Sequence, residues 1–376
     1  MIDWSLSERL QVTYRYIGSD PKQIADVIRV EQSIEFPFEL AEPRIQEEVV
    51  GKVEEIESNS NSSHLITISY DINIVGGELT QFLNVLWGNV SLFPGVRIVD
   101  LHIPDALTKK FQGPRFGISG LRKLFGVETR PLLTTALKPM GSDSKTLAQM
   151  ARTLALAGFD MIKDDHSLAN QPWATWHERV KLVSEAVLEA NEITGGKCTY
   201  APSLNLPFDQ IADAAHTAKE LGAKALLVLP GLTGFDSMRA LADDESLSLP
   251  IQAHPSMLGS LIISANEGIA HGIVFATLMR LAGADVTIFP SVGGRFSFTA
   301  DQCIEIGKLA RSPLGDIEKI WIAPAGGMTI DRIPQMIEMY GDDTALLIGG
   351  ALHQGDLALN AQRMVDVVSA LPLTVK

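Results

Sequence analysis

The sequence predicts a (β/α)8 barrel, the TIM-barrel architecture, preceded by a smaller α+β domain of ferredoxin-like type. Three observations predict it. The 376 residues suffice for about two domains at roughly 100–200 residues each. From Arg130 onward, short β-rich runs alternate with amphipathic helical stretches to the end of the chain, whereas strands and helices before about residue 120 follow a mixed order. The Gly-x-Gly-x-x-Gly turn that a dinucleotide-binding open sheet carries after its first strand is missing.

In the first part, residues 1–122, the patterns predict strands over 11–16, 65–70 and 96–103 and helices over 21–30 and 78–86. Residues 47–57 are acidic and 58–63 form a polar loop. Residues 123–376 then hold eight predicted strands, near 131–137, 159–163, 197–202, 225–229, 250–253, 285–289, 319–323 and 344–348. Helices are predicted between them over 144–157, 176–194, 208–221, 268–281, 300–310 and 330–339, and 357–369 closes the chain. Met150, Met257 and Met279 read as core filler, and Trp173 and Trp176 as packing around the second barrel helix.

Composition narrows the function. The apolar share is 46 % and no apolar run approaches the roughly 20 residues of a membrane-spanning helix. The opening MIDWSLSERL has neither the basic head nor the apolar centre of a signal peptide, so a cytoplasmic location is the expectation. Cys198 and Cys303, without Cys-x-x-Cys spacing, fit small buried residues in a reducing compartment. A net charge of −14 speaks against nucleic acid or an anionic membrane as partner, while a small anionic substrate fits if cations gather in one cleft. Signatures of serine hydrolases, zinc proteases and P-loop enzymes are missing.

A barrel keeps its active site at the carboxyl ends of its strands. Lys138 follows the first predicted strand, and Lys163, Asp165 and His166 end the second. His254 ends the fifth, and Ser291, Gly293, Gly294 and Arg295 follow the sixth. Gly326-Gly327 and Gly349-Gly350 follow the seventh and eighth, where barrels commonly hold phosphate on backbone amides. Tight turns are the other reading of each glycine pair. Alternation points Lys163 and Asp165 to one side, where with His166 they make a candidate divalent-metal site if the Lys163 amine is converted by CO2 to an anionic carbamate. The spacing fits equally an ion pair of Lys163 with Asp164 or Asp165. A neutral His254 in the barrel mouth suits binding or proton transfer at a substrate oxygen, or a purely structural role.

These residues carry a family resemblance. Gly158-Phe159-Asp160-Met161-Ile162-Lys163-Asp164-Asp165 resembles the metal-binding segment of RuBisCO large chains, and Ala136-Leu137-Lys138-Pro139 the catalytic-lysine segment. Trp87-Gly88-Asn89-Val90 resembles the segment with an active-site asparagine, Val30-Glu31-Gln32-Ser33 the one with a glutamate, and both glycine pairs match the phosphate loops in order. The resemblance implies Mg2+ held by carbamylated Lys163 with Asp165, and Lys138 moving protons at the enolate. It also implies a homodimer in which Glu31 and Asn89 enter the partner's site.

Departures from the family pattern narrow the reaction. His166 stands where a glutamate ligand is expected, Pro255 where an arginine follows the barrel histidine, Ile288 or a neighbour for a histidine, Ala325 for a serine and Met140 for a second lysine. The run 289–296 lacks the mobile lysine of carboxylases. Such a chain resembles the form IV RuBisCO-like proteins, which implies enolisation of a phosphorylated sugar derivative without carboxylation. The leading expectation is a 5-methylthioribulose-1-phosphate isomerase. A 2,3-diketo-5-methylthiopentyl-1-phosphate enolase, a 3-oxo-isoapionate-4-phosphate decarboxylase and a non-catalytic regulatory or binding protein are the alternatives.

Overall fold

A computed structural model of the chain describes residues 8–58 and 62–371; residues 59–61 of the predicted polar loop lie outside the described residues. The described chain divides into two compact units. One is built on residues 8–112 with Leu258–Val274 and Pro313–Ile317, and the other on Gly113–Met257, Phe275–Ser312 and the described residues from Glu318 onward.

The first unit runs β1 (Arg9–Ile17), α1 (Pro21–Glu31), β2 (Lys52–Ser58), β3 (Ser63–Asp71), α2 (Leu79–Trp87) and β4 (Val96–His102). Four strands of its sheet have the order β4-β1-β3-β2 with antiparallel neighbours, the ferredoxin-like arrangement. Alternation builds its core: Leu10, Val12 and Tyr14 of β1 and Ile66, Ile68 and Tyr70 of β3 are fully buried. Asp20 caps α1 by accepting from the Gln23 amide, and Pro21 presets the first turn. Strand β2 falls in the stretch read only as acidic. It is an edge strand whose Glu54, Glu55 and Glu57 are all exposed, so it has no buried face for a hydrophobic pattern to reveal.

The predicted helix over 268–281 needs correction. Gly268–Ile269 instead adds as a short parallel strand to β4, and helical turns begin only at His271. Two features impose this. Gly268 sits at φ +102°, which ends a helix pattern, and the Arg97 guanidinium donates to the carbonyls of Ser264 (2.6 Å), Glu267 (2.8 Å) and Ile269 (2.9 Å).

The second unit opens with α3 (Gly117–Phe125), which the sequence reading passed over, and closes eight parallel strands into a barrel. They are β5 (Leu132–Leu137), β6 (Met161–Asp164), β7 (Thr199–Ala201), β8 (Leu226–Val228), β9 (Ile251–Ala253), β10 (Val286–Pro290), β11 (Trp321–Ala325) and β12 (Ala345–Leu347). Two runs of four, β12-β5-β6-β7 and β8-β9-β10-β11, are joined by parallel bridges at Ser203–Leu227 and Ile322–Thr344. The interior is packed with Leu132, Met161, Leu227, Val286, Ile288, Ala323 and Leu347, and Leu121 and Phe125 of α3 belong to the same cluster. The predicted helices at Ser144–Ala157, Trp176–Thr194 and Leu357–Ser369 form with those bounds. A helix at Phe235–Asp243 was not anticipated.

Cys198 and Cys303 are free and buried, and Met279 and Trp176 are buried as expected. Met257 and Trp173 are not core, at 69 % and 45 % exposed, and Met150 is only half-buried. Met257 is held at φ +68° in the turn after β9 and lines a cavity instead of a core.

Candidate active site

One cavity of about 670 Å3 in the second unit gathers most of the predicted site. Lys138, Lys163, Asp165, His166, His254, Gly326, Gly327, Gly349 and Gly350 all line it. Ser291 does not: it is buried and its hydroxyl shares a hydrogen bond with the Tyr340 phenol at 2.9 Å. Glu31 and Asn89 belong to the first unit, where the Asn89 amide donates to the Glu31 carboxylate at 2.8 Å.

Alternation along β6 separates two acidic roles. Asp164 turns away from the cavity, fully buried. It accepts from the Arg179 Nε (3.1 Å), the Tyr200 hydroxyl (2.7 Å) and the Ser203 amide (3.0 Å). Its partners thus saturate it. Lys163 turns into the cavity, is only 2 % exposed, and donates to the Asp164 backbone carbonyl at 2.9 Å. Burial, helped by the neighbouring Lys138 charge and opposed by Asp164, pulls the Lys163 ammonium down to about 7. At neutral pH a sizeable share of this lysine is therefore a free amine.

Asp165, also buried, pairs with Lys138 and accepts at Oδ1 from the Ser167 hydroxyl at 2.5 Å and the Ser167 amide at 3.2 Å. Its other neighbour is His166, whose Nδ1 lies 3.3 Å from Oδ1. Lys138 is lowered by partial burial and then by the Arg295 charge. Both histidines are lowered as well, by burial first and then by Lys163 and other charged neighbours, and the shift of His254 is the larger. The His254 Nδ1 accepts from the Ser256 amide at 3.2 Å, so its neutral ring carries the proton at Nε2.

Gly326 and Gly327 sit at φ +86° and +98°, where side chains are strained. The amides of Gly326, Gly327, Gly349 and Gly350 have no acceptor among the described residues. Four unpaired donors on one cavity wall suit an oxyanion. Among the described residues no three His, Cys, Asp or Glu side chains gather as a metal-ligand set. A cation here needs Lys163 to supply the third donor as a carbamate beside Asp165 and His166, and the depressed amine suits that conversion. The donor set then has carboxylate and carbamate oxygens and one imidazole nitrogen.

The sequence assigns no function to two elements of the site. Arg295, placed by the sequence after the sixth strand but given no role there, lines the cavity. The Gly293-Gly294 pair before it was the available signal. The buried Arg179–Asp164–Tyr200 group left no signal, since its members lie 15 and 36 residues apart.

Residues 117–361 match the family model of the ribulose bisphosphate carboxylase large chain, catalytic domain. The chain belongs to the ribulose bisphosphate carboxylase large-chain family. Within it, this is a RuBisCO-like protein of form IV. A 5-methylthioribulose-1-phosphate isomerase of Rhodospirillum rubrum is 37 % identical over 368 residues, covering 97 % of this chain and 96 % of that relative. A 2,3-diketo-5-methylthiopentyl-1-phosphate enolase of Bacillus pumilus is 34 % identical over 289 residues, covering 77 % and 71 %. The crystal structure of a Rubisco-like protein from Rhodopseudomonas palustris aligns with a TM-score of 0.87 at 34 % identity, over 97 % of this chain and 99 % of that one. These relatives place the RuBisCO-like chain among the enzymes of the superfamily. No described helix is long and apolar enough to cross a membrane.

Proposed function

We propose that this RuBisCO-like chain is an enolising isomerase of 5-methylthioribulose 1-phosphate and does not carboxylate. One observation carries the reading: two lysines of lowered pKa, Asp165 and two neutral histidines share a cavity with two unpaired glycine pairs. The relative named as that isomerase, aligned over nearly the whole of both chains, supports the substrate.

The glycine amides anchor the phosphate. Lys138, lowered by partial burial and the Arg295 charge, takes as its free amine the proton from the carbon beside the carbonyl and returns it to the former carbonyl carbon. The carbonyl π electrons pass to its oxygen as the carbon–hydrogen pair forms the enediolate double bond. On reprotonation at the former carbonyl carbon, the new carbonyl forms on the carbon that lost its proton, and the hydroxyl proton there passes to the former carbonyl oxygen. The neutral His254 donates from Nε2 to a substrate oxygen. Lys163 as a carbamate, Asp165 and His166 would hold a divalent cation, with Mg2+ the family's choice. When bound, that ion supplies electrophilic polarisation of the substrate carbonyl. The protein is further proposed to work in the cytoplasm as a homodimer, with the Glu31–Asn89 pair serving the partner's site.

The second reading is the tautomerisation of 2,3-diketo-5-methylthiopentyl 1-phosphate, supported by the relatives of that name. Proton NMR in D2O with Mg2+, bicarbonate and each substrate separates the two. Deuterium uptake with an isomerised product from 5-methylthioribulose 1-phosphate is the expected result. Exchange with the diketone alone would transfer the assignment to the enolase reaction, and silence with both would end the reading.

A further inference from the structure

The loop after β10 is fastened to the loop after β11 by backbone alone. The Ser291 amide donates to the Ala325 carbonyl at 2.8 Å and the Arg295 amide to the Gly326 carbonyl at 3.0 Å. Between these two bonds the chains lie so close that a Cβ on Gly294 would stand 1.9 Å from the Gly326 oxygen. A Cβ on Gly327 would in turn meet Gly294 Cα at 3.3 Å and Arg295 Cγ at 3.6 Å. Behind the loop, the Arg332 guanidinium donates to the Val292 carbonyl at 2.9 Å. Two glycine pairs are thus laid against each other, and the result is a fixed root for the Arg295 side chain beside Gly326-Gly327.

Three basic side chains line the cavity, and two of them bond to oxygens: Lys138 to Asp165, and Lys163 to the Asp164 carbonyl, while the Arg295 guanidinium lies over the Phe296 ring at 5.6 Å. Among the described residues no carboxylate pairs with Arg295. A guanidinium without a counter-anion, at the wall where the Gly326 and Gly327 amides are also unpaired, is a site for an oxyanion. A guanidinium fork matches two oxygens of a phosphate, which a lysine ammonium does not.

We propose that Arg295 is the phosphate-binding side chain of this site, clamping a phosphomonoester against the Gly326-Gly327 amides, and so selects substrates with a phosphate at that end. The proposal rests on the phosphorylated-substrate reading above. Its role is in binding: it holds the anionic end while the reacting carbons lie toward Lys138 and Lys163.

The test is calorimetric titration of inorganic phosphate into the full chain, as wild type, Arg295→Gln and Arg295→Lys. One phosphate per chain is expected, weakened roughly 10- to 100-fold in Arg295→Gln, with Arg295→Lys between the two. With 5-methylthioribulose 1-phosphate the same glutamine variant should raise KM with little change in kcat, the mark of an anchoring contact. Wild-type phosphate affinity in Arg295→Gln would overturn the assignment of Arg295 and leave the phosphate reading standing. A wild-type chain that takes up neither phosphate nor a phosphate ester would overturn both.

Discussion

The imidazoles of His166 and His254 lie parallel, with ring centroids 4.5 Å apart and planes 8° from each other. Two protonated rings would repel at that distance, and both pKa values are lowered. His254 is fixed by the Ser256 amide, so it forms a neutral plate against which His166 is oriented toward Asp165. Orientation of this kind is what a ligating imidazole requires.

His166 tests the identity of the cation. Imidazole nitrogen suits transition metals better than Mg2+, a hard ion that prefers oxygen. His166→Glu is expected to tighten Mg2+ by about tenfold, or about 1.4 kcal/mol, while weakening the preference for Mn2+ or Co2+. Isothermal titration with each ion decides it. An unchanged Mg2+ affinity would remove His166 from the ligand set.

Lys163 gives a pH dependence whose sign is fixed. Carbamate formation needs the free amine, and with the ammonium lowered to about 7 that amine is lost as pH falls through this value. Activity in the presence of bicarbonate should fall below about pH 7, and a 13C carbamate resonance from labelled bicarbonate should fall with it. Lys163→Ala should lose both the resonance and at least about 10³-fold in kcat, comparable with removing a principal electrostatic group. Retained turnover would falsify the carbamate role.

The same burial makes a stability prediction. The folded-state value lies below the unfolded one, so the penalty for a buried ammonium is fully present below about pH 7 and is relieved as pH rises toward 10.5. Lys163→Met removes that penalty. Its melting temperature should exceed the wild type's at pH 6 by on the order of 2–4 °C, with a smaller gain at pH 9. A gain that does not shrink with pH would contradict the assignment.

How much of this was readable from residues alone depends on the range of the cause. Barrel strands such as Leu132–Leu137 and Trp321–Ala325 announce themselves because a strand buried on both faces must be a continuous apolar run, and chemistry at their ends is then placed by topology. The edge strand Lys52–Ser58 has no buried face to impose a pattern, and Gly268–Ile269 is a strand through its ladder with β4 and the hydrogen bonds drawn to Arg97, more than 160 residues away. Lys163 and Asp165 were legible through period-two alternation. That Asp164 is instead consumed by Arg179 and Tyr200 depends on two other elements packing behind the strand.

Arg179 and Asp164 are both wholly buried, so breaking the pair leaves an uncompensated charge in a dry environment. Arg179→Ala should lower stability by about 3–5 kcal/mol in urea unfolding. Arg179→Lys should recover little, because an ammonium cannot reproduce the Nε bond to Asp164 and the Nη1 bond to the Ala174 carbonyl together. A loss below about 1 kcal/mol would mean that Asp164 is held by Tyr200 and the Ser203 amide alone.

The glycines around the cavity are not equivalent, and the difference separates packing from anion binding. At Gly294 a methyl group would collide with the Gly326 carbonyl at 1.9 Å, and the obstacle is backbone, which cannot swing aside. Gly294→Ala must therefore separate the two loops, at a cost of about 1–3 kcal/mol of stability, and it should carry Arg295 away from the glycine wall. At Gly350 a methyl group meets nothing within 4 Å, so Gly350→Ala should stay within about 0.5 kcal/mol of the wild type. Phosphate titration of the two variants then has a definite order. Gly294→Ala should bind far more weakly than Gly350→Ala, because the alanine at 350 keeps its amide and the alanine at 294 displaces both the Gly326 backbone and the guanidinium. Equal affinities would show that the contact between the β10 and β11 loops does not shape the anion site.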